Sequence, residues 1–357
     1  MEARKIINSL QRRGLRGSIQ RFRQGPQKVG LIDFWSFITD REETPLNLEE
    51  YKKHKEGNQI TLNWVIPEMG EGSGGHLNIF RFVSYLERHG VHNRIYLYRS
   101  TRFLNNSYLK DFVRKYFSIL DENVELYHDT KLMTFADGIV ATSWDTAYCV
   151  RNFNNTISKF YFIQDYENWG RTDQEVRNTY HYKMNKIVIS KWLLNIVKNE
   201  ESEKCALVPN GFNLKEFYLT IPIKEKCKYS VSMLYHWADR KGCPYAFKAL
   251  EIVKRNIPQL QVHLFGTLEK PANLPDWYHY YQTPSKEEHL RINNECAIYI
   301  AASIDEGWGL TIGEAMLCGQ VVACTDNKGF REMATHNVNA LLSPVKDVIT
   351  LANNIQI

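Results

Sequence analysis

Residues 306–316 read Glu-Gly-Trp-Gly-Leu-Thr-Ile-Gly-Glu-Ala-Met, directly after an apolar segment that ends near Ala302. The apolar segment predicts a buried strand, and the quoted residues predict the start of the helix that follows it. Gly307 and Gly309 allow backbone N–H groups to approach a ligand closely. The first N–H groups of a helix attract anions, so this strand, turn and helix start favour a site for a diphosphate.

Two carboxylates, Glu306 and Glu314, flank this predicted anion site. They repel phosphate but readily accept hydrogen bonds from hydroxyl groups. A nucleotide sugar, with ribose on one side of its diphosphate and a hexose on the other, suits such a layout. The structural alternative is a capping box, because Thr311-x-x-Glu314 also has that pattern. A capping box would require neither Glu306 nor the two glycines.

The longer pattern Ser-x-x-Glu-Gly-Trp-Gly-Leu-x-x-x-Glu-Ala-Met starts at Ser303 and has seven residues between its glutamates. It closely resembles the signature of glycosyltransferase family 4, whose members are retaining enzymes of the GT-B fold. The resemblance implies that Glu306 holds hydroxyls of the donor sugar and that Glu314 holds the ribose. It also implies that the diphosphate meets the backbone of Gly307, Gly309, Leu310 and Thr311.

Alternating strand and helix patterns extend the resemblance over about residues 60–345. Predicted strands cover residues 60–66, 94–98, 124–127, 138–141, 160–163, 186–189, 230–234, 261–266, 297–300 and 321–323. This alternation predicts an α/β protein with mainly parallel sheets. We expect two Rossmann-like, doubly wound domains facing across a cleft, with ligands beyond the carboxyl ends of the strands.

The same patterns divide the chain into four segments. Residues 1–59 are a basic and aromatic extension, 60–222 an acceptor domain and 223–345 a nucleotide-sugar donor domain. Residues 346–357 read as a terminal helix. Members of the family usually continue past this point with helices that cross back onto the N-terminal domain, so truncation of the chain here is one interpretation.

A basic pair precedes a predicted helix in Arg240-Lys241-Gly242. The resemblance implies that this pair neutralises the donor diphosphate, whose charge grows as the glycosidic bond breaks. Many family members have Gly-Arg-Leu upstream, where this chain has Tyr235-His236-Trp237. His236 aligns with the arginine, and Arg240 is a candidate to replace it. A solvated pair at a helix start is the alternative.

A glycine-rich turn, Gly-Glu-Gly-Ser-Gly-Gly-His at residues 70–76, follows the first predicted strand of the N-terminal half. The resemblance implies that Gly74 and Gly75 approach donor or acceptor, and that His76 faces the same space as a catalytic candidate. A turn without a ligand role is the alternative.

The strand predicted at 160–163 is followed by Gln164 and Asp165. They lie where many family members carry a histidine segment beside the reacting sugar, so they are candidates for acceptor contact. Asp165 joins Glu306 and His76 as a predicted catalytic residue, and a turn or helix cap is its alternative. We also predict that Tyr281, after an aromatic strand, lies near the base.

Composition restricts the class of protein. The seven cysteines form no Cys-x-x-Cys pair, which predicts free thiols in a reducing compartment. No apolar run reaches about 20 residues, and the N-terminus is too charged for a signal peptide, so we expect a cytoplasmic protein. Residues 1–28 carry eight Lys or Arg against one acid. They predict either peripheral contact with anionic membrane at its inner face or a helix packed on the protein; we expect no nucleic-acid partner.

We see no Asp-x-Asp metal motif, and His89-x-x-His92 has no evident third ligand. We therefore expect no metal and no cofactor, with the nucleotide-diphosphate sugar as a substrate.

Residues 72–81 read Gly-Ser-Gly-Gly-His-Leu-Asn-Ile-Phe-Arg, and residues 162–167 read Phe-Ile-Gln-Asp-Tyr-Glu. With these segments, the sequence looks most like bacterial rhamnosyltransferases that build surface polysaccharide. This predicts transfer of a hexose or deoxyhexose, such as rhamnose, to a saccharide or lipid-linked saccharide. The alternatives are an epimerase or phosphorylase of the GT-B fold, or a non-catalytic saccharide-binding subunit.

Overall fold

The computed structural model describes residues 43–168, 172–200 and 205–357. They form two compact units. The first contains the described residues up to Val188 together with Leu193–Val208, and the second contains Ile189–Trp192 together with Pro209–Ile357. The change of unit at Pro209 lies before the predicted boundary at 222/223. The basic segment 1–28 lies outside the described residues.

The first unit is built on seven parallel strands in the order β3-β2-β1-β4-β5-β6-β7. The strands are β1 Thr61–Ile66, β2 His92–Leu97, β3 Glu125–Tyr127, β4 Ala136–Ala141, β5 Thr156–Ile163, β6 Asn185–Val188 and β7 Cys205–Leu207. The helices are α1 Leu48–Lys55, α2 Gly74–Arg88, α3 Asn106–Tyr116, α4 Trp144–Asn152, α5 Asp173–Tyr180 and α6 Lys191–Asn199.

The second unit is built on six parallel strands in the order β10-β9-β8-β11-β12-β13. The strands are β8 Cys227–Leu234, β9 Gln261–Gly266, β10 Tyr278–Gln282, β11 Cys296–Ala301, β12 Val321–Thr325 and β13 Ala340–Ser343. The helices are α7 Cys243–Asn256, α8 Lys286–Glu295, α9 Leu310–Leu317 and α10 Val348–Gln356.

The strands form because apolar runs are buried on both faces of each sheet. Val65 and Ile66 of β1 are completely buried, as are Val262 and Leu264 of β9. Helices that cover both faces of a parallel sheet require such continuous apolar strands. The predicted pair of Rossmann-like sheets is therefore confirmed.

Both sheets reverse their strand order beside their first strand. In the first unit β2 and β4 lie on opposite sides of β1, and in the second unit β9 and β11 lie on opposite sides of β8. At such a switch point the loops on the two sides diverge and leave space for a ligand at the carboxyl ends of the strands.

Residues 43–55 belong to the first unit rather than to a separate extension. Glu50 of α1 accepts a hydrogen bond from the N–H of Phe135 at 2.6 Å, and His54 lies 2.6 Å from Asp137. Helix α1 has no buried residues, so these polar contacts with the start of β4 hold it in place. The terminal helix α10 is part of the second unit, since Leu351, Ala352 and Ile355 are buried in its core.

None of the helices in the described part of the chain has the length and apolar character needed to cross a bilayer.

Candidate functional site

Two loops meet at the switch point of the second sheet: residues 235–242 after β8 and residues 302–309 after β11. The N–H of Ile304 donates to the carbonyl of Arg240 at 2.7 Å. Gly242 has a φ of +63°, and a Cβ added there would lie 1.9 Å from the carbonyl oxygen of Ala302. Only glycine fits this contact, which explains why a glycine follows the basic pair.

Glu306 is the centre of the contacts between these loops. Its Oε1 accepts hydrogen bonds from Lys241 Nζ at 2.6 Å and from Ser303 Oγ at 2.8 Å. Its Oε2 lies 3.9 Å from the guanidinium of Arg240, and the residue is only 9% exposed. The structure thus brings the first predicted glutamate and the predicted basic pair into one charged group, in which the buried carboxylate is paired and hydrogen-bonded.

A third loop, after β12, contacts the backbone of Ser303 and Glu306 in this group. Asn327 Nδ2 donates to the carbonyl of Ser303 at 3.1 Å, and the hydroxyl of Thr325 donates to the same carbonyl. A Cβ at Gly329 would lie 2.2 Å from the carbonyl oxygen of Glu306. Sequence reasoning missed this support; Asn327 and Gly329 lie a few residues past the strand predicted at 321–323.

Helix α9 starts beside Glu306, with Gly309 as its N-cap. Gly309 has a φ of +90°, and a Cβ there would lie 2.5 Å from the ring of Phe330. Gly309 is therefore required by backbone conformation and close packing. The N–H groups of Leu310 and Thr311 precede the first bond of this turn, which the N–H of Ile312 makes to the carbonyl of Gly309 at 3.2 Å. N–H groups at this position of a helix are the ones that an anion site uses.

The capping-box alternative for Glu314 is wrong. The N-cap is Gly309, which has no side chain, and Thr311 lies inside the helix. Burial raises the pKa of the nearby Tyr299 phenol, and the side chain of Thr311 opposes that shift. Glu314 is 6% exposed, so its carboxylate lies within the protein.

His236 takes a different role from the arginine it aligns with. Its Nδ1 accepts a hydrogen bond from the N–H of Ala238 at 2.9 Å. Burial, followed by the charges of Lys241 and Arg240, lowers the pKa of its imidazole. Since the ring is neutral at physiological pH, the positive charge at this site comes from Arg240 and Lys241.

Tyr281 lies inside β10, whereas the sequence had suggested that it follows the strand. Its ring stacks on His263 with the ring centroids 5.8 Å apart, and its hydroxyl lies 3.1 Å from His263 Nδ1. The guanidinium of Arg291 in α8 lies over the same ring. These contacts place Tyr281 on a face of the sheet, against a helix, so its proposed proximity to the base has no support from its surroundings.

Asp305 is a further carboxylate of this site that sequence reasoning missed. Its Oδ1 accepts a hydrogen bond from the N–H of Glu306 at 3.1 Å. Burial raises the pKa of its carboxyl, and the charge of Lys328 opposes that shift. Its position directly before Glu306 was the available signal.

In the first unit, Gly74, Gly75 and His76 form the first turn of α2, whereas the sequence predicted a loop through residue 76. His76 Nδ1 lies 2.7 Å from Ser73 Oγ, and Nε2 lies 3.1 Å from the carbonyl of Pro67. Burial lowers the pKa of this imidazole to about 4. With both nitrogens bonded, the neutral ring anchors the turn, which argues against the predicted catalytic role of His76.

Gln164 is fixed to the same helix start. Its Nε2 donates to the carbonyl of Gly75 at 3.2 Å, and its Oε1 accepts from Asn78 at 2.8 Å. Asp165 follows it, and its Oδ1 accepts from the N–H of Tyr166 at 2.8 Å. The structure therefore brings Gly75 and Gln164 together, at the carboxyl ends of β1 and β5.

Glu167 lies beside Asp165 and was not singled out from the sequence. It accepts a hydrogen bond from the N–H of Trp144, the first residue of α4, at 2.9 Å. Burial raises the pKa of its carboxyl to about 8, and the charges of Asp145 and Asp165 add to the shift. A largely neutral carboxyl therefore lies next to the predicted acceptor residues.

Within the three described segments, no group of three His, Cys, Asp or Glu side chains is arranged to hold a metal ion. His89 Nδ1 donates to the carbonyl of Tyr85 at 2.7 Å, and His92 lies between Glu87 and Glu125. The two histidines thus have separate partners.

Residues 221–357 match the family model for glycosyl transferases group 1. The O-antigen biosynthesis protein RfbC of Myxococcus xanthus is 28% identical over 167 residues, which are 43% of this chain and only 12% of that protein. This chain therefore spans a small part of the curated relative.

Two solved structures are similar in fold. Sucrose-phosphate synthase from Thermosynechococcus elongatus is 17% identical, with a TM-score of 0.62 over 84% of this chain and 89% of that one. Anabaena Alr3699/HepE, solved in complex with UDP and glucose, is also 17% identical, with a TM-score of 0.63 over the same shares. These likenesses establish the fold alone, and they confirm the predicted GT-B architecture.

Proposed function

We propose that this protein is a glycosyltransferase that takes a sugar from a nucleotide-diphosphate donor bound on its second unit. The match to glycosyl transferases group 1 covers that unit and supports this assignment. The observation that carries it is the meeting of Glu306, Lys241 and Arg240 beside the start of α9. Carboxylate, cations and helix start together suit a sugar joined to a diphosphate.

The proposed contacts follow the order of the donor. Glu306 accepts hydrogen bonds from the transferred sugar, the start of α9 with Arg240 and Lys241 receives the diphosphate, and Glu314 binds the ribose. Negative charge grows on the phosphate as the glycosidic bond breaks. The cations and N–H groups therefore stabilise the transition state more than the bound donor.

The finer assignment is a retaining enzyme of family 4 that transfers a hexose or deoxyhexose such as rhamnose. In the retaining reaction, the departing phosphate oxygen takes the proton of the acceptor hydroxyl, and the new glycosidic bond forms on the same face of the sugar. No carboxylate nucleophile is needed. Gln164 and Asp165 of the first unit contact the acceptor, a saccharide of surface polysaccharide, and residues 1–28 touch anionic lipid.

The proposal is tested first by binding. UDP, GDP and dTDP, each with and without an attached hexose, are screened for the rise in Tm that a ligand of the native state produces. UDP-glucose is the first probe because HepE was solved with UDP and glucose. Absence of any shift across the panel would contradict the proposal.

Turnover is then followed by release of nucleoside diphosphate in the presence of a saccharide acceptor. Release only with acceptor supports transfer, whereas release without it points to hydrolysis of the donor, and conversion of the donor without release of diphosphate points to an epimerase. We expect turnover to persist in EDTA, because the proposed chemistry uses cations of the protein. Loss of turnover that added Mg²⁺ or Mn²⁺ restores would refute metal independence.

Glu306→Gln tests the central residue. The charged acceptor is lost, and hydrogen bonds to charged groups contribute about 1.5–3 kcal/mol, so turnover should fall roughly tenfold to a hundredfold. The matched control is Glu216→Gln, because Glu216 pairs with Lys286 at 2.8 Å in the same unit and belongs to neither loop. Equal turnover of Glu306→Gln and Glu216→Gln would contradict the assignment of Glu306 to the site.

A further inference from the structure

Trp237 exposes 74% of its surface. Among the tryptophans of the described residues, it is the one with an exposed side chain. A tryptophan ring is a large apolar surface that proteins usually cover, so an indole left in solvent suggests a binding role.

The surroundings of Trp237 hold its ring in a defined place. It stacks on His236, with ring centroids 5.8 Å apart and an angle of 22° between the planes. His236 is itself fixed by the N–H of Ala238, and the carbonyl of Ala238 accepts from the N–H of Lys241 at 2.9 Å. Such a pre-ordered ring loses little conformational entropy when a ligand covers it.

The position of Trp237 in the chain indicates which part of a ligand its ring contacts. It precedes Arg240 and Lys241, and both of these lie against Glu306. Glu306 is the residue assigned to the sugar, while Glu314 is assigned to the ribose. The loop that carries Trp237 therefore lies at the diphosphate and sugar end of the site rather than at the ribose end.

We propose that Trp237 is a stacking platform for a pyranose ring at this site, an inference that rests on the proposed function. One face of a pyranose presents C–H groups, and an aromatic ring offers the flat apolar partner for that face. The pyranose is either the transferred sugar of the donor or the terminal sugar of the acceptor.

The experiment compares Trp237→Ala with Trp237→Tyr, which keeps a flat ring. Because the side chain is exposed, both variants should keep the Tm of the parent protein. Tyr218→Ala, which removes a 46% exposed aromatic of the same unit, is the control. Calorimetry measures the binding of UDP and of UDP-glucose, or of the pair from the GDP and dTDP series that gives the largest Tm shift. The KM for the acceptor is measured from the release of nucleoside diphosphate.

If the ring meets the donor sugar, Trp237→Ala weakens binding of the nucleotide sugar by roughly threefold to tenfold and leaves binding of the free diphosphate unchanged. If it meets the acceptor, donor binding is unchanged and acceptor KM rises by a similar factor. Trp237→Tyr should restore most of the loss in either case. Acrylamide quenching of the Trp237 fluorescence should also fall when the saccharide is bound.

Two results would overturn the proposal that Trp237 is a stacking platform. The first is an alanine variant with unchanged nucleotide-sugar affinity and unchanged acceptor KM. The second is an equal loss of affinity for the free diphosphate, which would place the ring on the nucleotide. Either result leaves the proposed transferase in place if Glu306→Gln is impaired, whereas absence of any nucleotide binding to the parent protein overturns both proposals.

Discussion

The pair formed by Lys241 and Glu306 differs from the other lysine–glutamate pair of the second unit in its surroundings. The side chain of Lys241 is 19% exposed and that of Glu306 11%, whereas Lys286 of the pair with Glu216 is 57% exposed. Partly buried ions give up hydration, so their pairing contributes less to stability than its short distance suggests. A contribution to stability therefore explains the presence of this pair poorly, and a role in ligand binding explains it better.

Glu167 provides a test of electrostatics in the first unit. Its folded-state pKa of about 8 lies above the value of 4.5 for the free side chain. The unfolded chain therefore loses this proton at lower pH than the folded chain does. The resulting stability is fully present below about pH 4.5 and is lost as the pH rises through about 8.

Glu167→Gln should consequently change how stability depends on pH. Glutamine stays neutral and can still accept from the N–H of Trp144. We expect the variant to be more stable than the parent at pH 8, with the difference shrinking toward pH 5, as measured by Tm at each pH. The exposed Glu122→Gln serves as the control; a parallel pH profile for parent and Glu167→Gln would show that the carboxyl is ionised in the folded protein.

At the scale of elements, the apolar strands were the most predictable parts. Residues 261–266 form β9 as expected, because Val262, Leu264 and Phe265 give this segment a buried apolar pattern. Helices α4 and α5 were not predicted, because their short, mixed sequences lack a clear apolar stripe. The start of α2 was placed three residues late, since Gly74 and Gly75 suggest a loop and only the contacts of His76 and Gln164 reveal a helical turn.

The candidate site was predictable where residues follow strand ends. Glu306, Arg240 and Lys241 were each marked by the sequence, but the bonds among them depend on the order of β8 and β11 in the sheet. Tyr281 was misplaced because an aromatic strand end and an aromatic strand interior look alike. The supporting loop at 327–329 could not be found, since its contacts are with backbone atoms of residues distant in sequence.

The backbone at the start of α9 is restricted to a conformation that favours glycine. Gly309→Ala would place a Cβ 2.5 Å from the Phe330 ring in a residue with φ of +90°. The conformation alone costs about 1–3 kcal/mol for a residue other than glycine, so we expect a lower free energy of urea unfolding and weaker diphosphate binding. Gly211→Ala is the control, because a Cβ there has no atom within 4 Å; equal stability of the two variants would contradict the observed helix start.

At the scale of the whole molecule, the two sheets repeat one plan with different chemistry. Each reverses its strand order beside its first strand, but among the described residues only those of the second unit place two cations and a buried glutamate at that point. The first unit instead carries Gln164, Asp165 and the neutral Glu167. We therefore expect a diphosphate to bind to the second unit. The carboxyl and amide groups of the first unit are suited to hydrogen-bond the hydroxyls of a saccharide.

This division predicts where a bound nucleotide protects the backbone from hydrogen exchange. At a concentration of one hundred times Kd, a ligand stabilises the unit that binds it by about 2.7 kcal/mol, which slows exchange through the opening of that unit roughly a hundredfold. We expect the best diphosphate of the UDP, GDP and dTDP series to protect residues 235–242 and 302–316 most strongly, with β1 and β4 little changed. The same measurement on Arg240→Ala should show the protection reduced. Protection centred on residues 70–78 and 164–168 instead would assign the diphosphate to the first unit, because only the unit that holds the ligand gains this stability directly.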